Sequence, residues 1–236
     1  DTTTSQSPVT KDSLDFLAQD PAITQSDPSN TKTEESDEVA FLVSEECSRG
    51  EGTPESTTSC QRFYSNGHHA TVLTQNAREG DEVKRQTVVE EFDHDNILLY
   101  RKTIRYRVDY NYWQDKKTKE KELFDIIYQP ANKAATRELM VYEYSLETGK
   151  TRTLSWTQYK QTTPTPQACL VFHTLLRYGD DGKPERAIAE AWHNGKKTET
   201  FMDWNRRATG YALWDKDAWN HWEGWIRNVS LQAYLP

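Results

Sequence analysis

The 236-residue chain contains no apolar run approaching the roughly 18 residues that a membrane-spanning helix needs, so no such helix is expected. Cysteine is scarce. The three present, Cys47, Cys60 and Cys169, form no Cys-x-x-Cys or Cys-x-x-Cys-His motif and do not fit zinc-ligand spacing, which removes redox, haem-attachment and zinc-finger readings. No Gly-x-Ser-x-Gly elbow occurs, which argues against an α/β-hydrolase nucleophile. No phosphate-cradling glycine loop occurs either, so neither a cofactor nor a nucleotide is implied.

Charge and aromatics are present but unevenly placed. Residues 1–60 hold thirteen acidic side chains against Lys11, Lys32 and Arg49, whereas residues 61–236 hold 24 acids and 26 bases. The overall charge of −8 therefore belongs to the N-terminal quarter, and all eight tryptophans lie at or beyond Trp113. A polar, acidic, Ser/Thr-rich opening lacks the apolar surface to fold alone and reads as an irregular tail or docking arm. One short helical stretch, Asp12–Gln19, is expected within it, capped by Asp12 or Ser13. The chain begins at Asp1 without Met, and with the Ser/Thr-rich start this raises the expectation of a removed signal peptide and an extracytoplasmic (periplasmic or secreted) location. A Cys47–Cys60 disulfide closing the polar loop Ser48–Ser59 fits that compartment, while Cys169 reads as a buried free thiol.

Leu98–Tyr112 is the most informative stretch. Its even positions include Tyr100, Ile104, Tyr106, Val108, Tyr110 and Tyr112, and its odd positions include Arg101, Arg105 and Arg107. Successive strand side chains point to opposite faces, so this is a long strand with one aromatic face and one cationic face. Similar alternation marks Val83–Phe92, Glu122–Tyr128, Glu138–Leu146, Thr151–Lys160, Cys169–Tyr178, Arg186–His193 and Thr198–Trp204. Turn signals separate them: Asp93–Asn96, the charged stretch Asp115–Lys119, Pro130–Ala135 with room for one helical turn, Glu147–Lys150, a Thr/Pro loop at Gln161–Pro166, Gly179–Gly182 and Asn194–Gly195. The aromatic, acidic-turn, Gly-Lys rhythm at Tyr144–Lys150 and Tyr178–Lys183 resembles hairpins of extracellular YD-type repeat proteins; it covers these turns alone and carries no function.

The fold expected is mainly β: an antiparallel meander of consecutive hairpins with about eight to ten strands, twisted or curled. It ends in a short Trp-rich helix capped by Asp215 or Asp217 and stopped near Gly224, followed by an edge strand Val229–Leu235. The domain boundary is drawn between an acidic segment 1–60 and a β domain 61–236.

Four constellations are candidates for chemistry or contact. Trp219, Trp222 and Trp225, three apart on a helix, form a candidate contact or sugar platform, set against simple packing onto the sheet. The histidines His68–His69, His94 and His221 lack metal-ligand spacing, so no metal site is expected. Glu90–Glu91 with Asp93, and Asp180–Asp181, are adjacent carboxylates that point apart rather than across a substrate, so no catalytic residue is assigned. The cationic row Arg101, Arg105, Arg107 is a candidate contact surface together with Tyr106, Tyr110 and Tyr112. Arg and Tyr lie on opposite faces, which denies a nucleic-acid stacking platform and favours acids across the sheet or from the tail. The functional expectation is an exported non-enzymatic protein acting by surface contact, as an assembly component or protein-binding module; the alternative is a carbohydrate-binding or carbohydrate-active protein using the C-terminal tryptophans.

Overall fold

The alternating stretches become strands because each can bury one face while pairing its backbone with a neighbour. A computed structural model describes residues 40–50, 56–160, 170–210 and 213–234. In chain order the strands are β1 (Leu42–Gly50), β2 (Ser56–Tyr64), β3 (His69–Glu79), β4 (Glu82–Phe92), β5 (Leu98–Trp113) and β6 (Lys116–Pro130). They continue as β7 (Thr136–Tyr144), β8 (Thr151–Tyr159), β9 (Leu170–Tyr178), β10 (Pro184–His193) and β11 (Lys196–Asn205). Two helices follow, α1 (Arg206–Thr209) and α2 (Lys216–Tyr234). The eleven strands pair strictly with their sequence neighbours in one antiparallel meander, so the expected architecture holds with one strand more than the upper count. Among the described residues no ladder joins β1 to β11, and the sheet has two free edges.

Cross-strand partners share a face, which lets the core be read from the register. One row runs Tyr106, Phe124, Met140, Trp156, Thr174 and Ala189; the next runs Val108, Glu122, Tyr142, Leu154, Leu176, Ala187 and Trp204. All of these are buried. Helix α2 lies on this face. Its Asp215 carboxylate accepts the Asp217 and Ala218 N–H groups at 3.0 Å each, a side-chain cap that starts the helix. Trp219, Trp222 and Ile226 then form an apolar stripe that is fully or almost fully buried. Trp222 stacks on Phe172 with centroids 5.4 Å apart, Trp225 meets Trp156 edge-on at 4.2 Å, and Trp219 meets Tyr178 edge-on at 5.2 Å. The Tyr142 hydroxyl donates to the Ile226 carbonyl at 3.1 Å, tying the helix backbone to the sheet. The one charge buried in this row, Glu122, accepts hydrogen bonds from the Tyr106 and Tyr144 hydroxyls at 3.2 and 2.9 Å and pairs with Lys119.

Several expectations change. The C-terminal helix is longer than foreseen: it runs through Gly224, and the segment expected as an edge strand, Val229–Leu235, is helical to Tyr234. Extending a helix already nucleated and packed costs little per residue, and short alternation does not discriminate periods of 2 and 3.6. The Cys47–Cys60 loop is mostly hairpin, because Ser48–Gly50 pair with Thr57–Ser59. Residue 60 lies in β2, and the described residues belong to a unit that begins at Ala40. The turn expected over Asp115–Lys119 is the two residues Gln114–Asp115, with Lys116–Lys119 already in β6, and Pro130–Ala135 turns without a helix. The Asp12–Gln19 helix, the Gln161–Pro166 loop and Cys169 fall outside the described residues.

Inner and outer tryptophans are expected to separate in a stability measurement. Trp222→Ala should lower the unfolding free energy by about 3–5 kcal/mol in urea titration, whereas Trp113→Ala, 44% exposed, should change it by no more than about 0.5 kcal/mol.

Candidate functional site

A meander sends alternate hairpins to opposite ends of the sheet, so the tips of β3–β4, β5–β6, β7–β8 and β9–β10 gather at one end with the close of β11. On the face away from α2, the last full row there reads Glu82, Asp109, Lys121, Glu143, Thr153, Arg177, Arg186. An open groove of about 1000 Å³ is lined by five of these, Asp109, Lys121, Glu143, Thr153 and Arg177, and by Tyr144, Tyr178, Arg152, Asp180, Asp181, Glu185, Arg206 and Arg207. Its charges are cross-braced. Glu185, buried, holds Arg177 and Arg207 at 3.1 Å each; Asp180 meets Arg152 at 3.0 Å and Asp181 meets Arg206 at 2.8 Å. A Cβ at Gly179 would sit 2.8 Å from the Arg206 guanidinium, so a side chain there would push the end of Arg206 aside.

Beside the groove stands an arm. The β4–β5 ladder stops at Glu82↔Asp109 and the β6–β7 ladder at Lys121↔Glu143, yet β5 and β6 continue for four more pairs: Tyr110↔Lys119, Asn111↔Thr118, Tyr112↔Lys117 and Trp113↔Lys116. A bulge at Asp109/Tyr110 marks its base. Gln114 and Asp115 close it with φ of 49° and 62°, a left-handed pair usually built with Asn or Gly. Tyr112 and Trp113 are 53% and 44% exposed. The Lys117 ammonium lies 4.8 Å above the Tyr110 ring and donates to Asp81 of the β3–β4 tip at 2.5 Å. That hydrogen bond is the main reason Asp81 titrates below the ordinary carboxylate range. Two-stranded ribbons are marginal alone, and here the tether to Asp81 steadies one.

The other residues singled out from sequence divide between core and surface. Trp219 and Trp222 are each 2% exposed and Trp225 is half-buried against Trp156, so the triad packs inward and offers no open platform. A stripe at helical spacing beside an apolar sheet face is drawn onto that face by the area it buries. Tyr106 likewise belongs to the core, its hydroxyl donated to Glu122, whereas Tyr110 and Tyr112 stand on the arm. Arg101, Arg105 and Arg107 face solvent but meet acids across the sheet: Glu90 at 3.6 Å, Asp125 at 3.7 Å and Glu82 at 2.8 Å. The Cys47–Cys60 disulfide is formed. Asp93, in the cluster with His94 and Asp95, spends a carboxylate oxygen on the N–H groups of Asp95 and Ile97 at 2.9 Å each, which is turn chemistry. Asp180 and Asp181 point to different arginines.

The groups displaced in titration within the groove all move away from neutrality. Asp181 is lowered, first by the Lys183 N–H and then by Arg206; Tyr144 is raised by burial and Glu122, and Tyr178 is pushed up to about 12 by burial. General acid–base work calls for a group poised near the operating pH, and these are not. Trp113, Lys116 and the groove arginines were not singled out from sequence; the available signal was that residues 110–113 continue the alternation past the length of β4. No protein-family model, curated protein or solved structure matches the chain.

Two outcomes are expected. Asp125, buried and held by Arg137 through two bonds of 2.6 and 3.1 Å, should cost about 3–5 kcal/mol on Asp125→Ala, whereas Arg101→Ala should cost less than about 1 kcal/mol, both by chemical denaturation. Burial holds His173, beside the Thr157 hydroxyl at 3.1 Å, below its ordinary 6.5. The unfolded chain therefore takes up a proton that the folded chain resists as pH drops below 6.5, and this contribution to stability is lost toward the folded value. Urea midpoints measured from about pH 7.5 to 5.5 should fall less steeply for His173→Gln.

Proposed function

We propose that the protein is an extracytoplasmic, non-enzymatic contact module that engages a protein partner, alone or within a larger assembly, through the arm and groove at the hairpin-tip end. The observation that carries this reading is the β5–β6 arm, which runs four residue pairs beyond both neighbouring strands with aromatic and lysine side chains in solvent. Aromatic rings that are held rigidly and then desolvated by a partner are the usual source of binding free energy at protein interfaces. The braced groove beside it adds paired charges, which give specificity and orientation more than affinity. The carbohydrate alternative relied on Trp219, Trp222 and Trp225, and with those rings turned into the core no observation favours it. An oxidising compartment is supported by the disulfide, since such bonds persist outside the reducing cytosol.

A photo-cross-linking residue at Trp113 should give a discrete protein adduct in the native source, and Tyr112→Ala with Lys116→Glu should abolish it. Failure to form any adduct at Trp113 while a probe at exposed Thr198 of β11 forms one would move the contact surface elsewhere. Thiol trapping of the cellular protein should find Cys47 and Cys60 fully oxidised. Replacing both with Ser should cost up to about 3 kcal/mol. A reduced pair in cells would overturn the compartment assignment.

A further inference from the structure

We propose that the free edge of β1 pairs antiparallel with β1 of a second copy of this chain, about a two-fold axis at Cys47. This uses a different surface from the arm and stands independently of it. Every residue of β1 is exposed, so burial of its own side chains does not hold the strand in place. It is held by the Cys47–Cys60 disulfide, by the Arg62–Glu45 ion pair at 3.0 Å, and by backbone and side-chain bonds between Phe41 and Ser65. The two edges of the sheet are treated differently. β11 carries two bulges in its ladder and opens with Lys196 and Lys197, features that discourage pairing. β1 is regular from Ser44 to Gly50, and Phe41 just before it and Leu42 and Val43 at its start are 66%, 47% and 61% exposed.

The orientation of the free backbone groups follows from the register. The Cα atoms of Cys47 and Cys60 are 4.1 Å apart, close to the roughly 4.5 Å of pairs that exchange no backbone bond and well short of the roughly 5.5 Å of pairs that do. The Ser65 N–H bond to the Phe41 carbonyl marks Leu42↔Tyr64 as the same kind, and alternation from Tyr64 through Arg62 reaches Cys60 in step. The N–H and C=O groups of Glu45, Cys47 and Arg49 therefore point away from β2, into solvent.

A second β1 must present the same three residues, which limits the registers. Centring on Glu45 or on Arg49 places like charges on the axis, and centring on Glu46 opposes Glu46 to itself. Centring on Ser48 gains no opposite-charge pair. Centring on Cys47 opposes the whole regular segment Ser44–Gly50 to its copy and sets Glu45 against Arg49 of the second copy, twice. Directly opposed unlike charges favour a register and like charges disfavour it. Arg49 has no ion-pair partner among the described residues and is available for this.

Sedimentation equilibrium of the full chain should give twice the 27.4 kDa chain mass. Arg49→Glu, which breaks no ion pair within the described residues, should weaken association at least roughly tenfold. Glu45→Arg should weaken it too while also removing the Arg62–Glu45 ion pair, and the double variant E45R/R49E, which shares that loss, should associate more tightly than E45R alone. An intact disulfide and unchanged circular dichroism in each variant would keep the comparison between folded proteins. A monomer persisting to about 100 µM, or a dimer indifferent to both single reversals, would overturn the proposal. So would a monomer whose β1 edge is taken by a strand of another protein.

Discussion

The packing of one aromatic stripe on one sheet face is the constraint on which the rest depends. Trp219, Trp222 and Ile226 bury against rows supplied by β6 to β11, which run across consecutive hairpins. An eleven-stranded meander made only of neighbouring hairpins has no crossover to lock it. Helix α2 supplies a long-range tie, reaching from the last segment of the chain back to Tyr142 and Trp156. Aromatic burial of this size outweighs the polar costs beneath it, including Glu122, whose carboxylate is satisfied by Tyr106, Tyr144 and Lys119.

With the apolar face committed to the helix, the opposite face is organised by charge. Arg101, Arg105 and Arg107 oppose Glu90, Asp125 and Glu82, and Glu185 braces Arg177 and Arg207. Exposed pairs of this kind contribute little to stability one by one, but they fix register and leave few uncompensated charges along the strands. Among the described residues, the β5–β6 arm and the β1 edge lie outside the helix-covered face and are tied across the strands by the ion pairs Lys117–Asp81 and Arg62–Glu45 respectively. The arm displays rings beyond the end of the sheet, the edge backbone groups along its side.

Period and turn chemistry made most of the sheet legible. Residues 98–112 could bury one face only as a strand, and Asn194–Gly195 and Gly179–Gly182 could turn only as hairpins. The disulfide followed from spacing and composition. What alternation did not convey was which side of each strand would be covered. Trp219 and Trp222 carry the same letters whether they face a sugar or Phe172, and the register of Phe172 over the helix is a property of the assembled sheet. The arm was hidden for a related reason, because its protrusion is defined by where β4 and β7 stop rather than by its own residues. Only the second part of β1, Ser48–Gly50, lies in the stretch expected as a loop; its residues are all exposed, so no burial periodicity could show there.

Native-state hydrogen exchange is the measurement that bears most directly on the helix-to-sheet tie. If α2 holds the meander together, its Trp219–Ile226 amides should exchange as slowly as those of β7 to β9, in a single cooperative opening with one dependence on denaturant. Helix amides that exchange orders of magnitude faster than the strands beneath them would contradict the account, because the sheet would then stand without its covering helix.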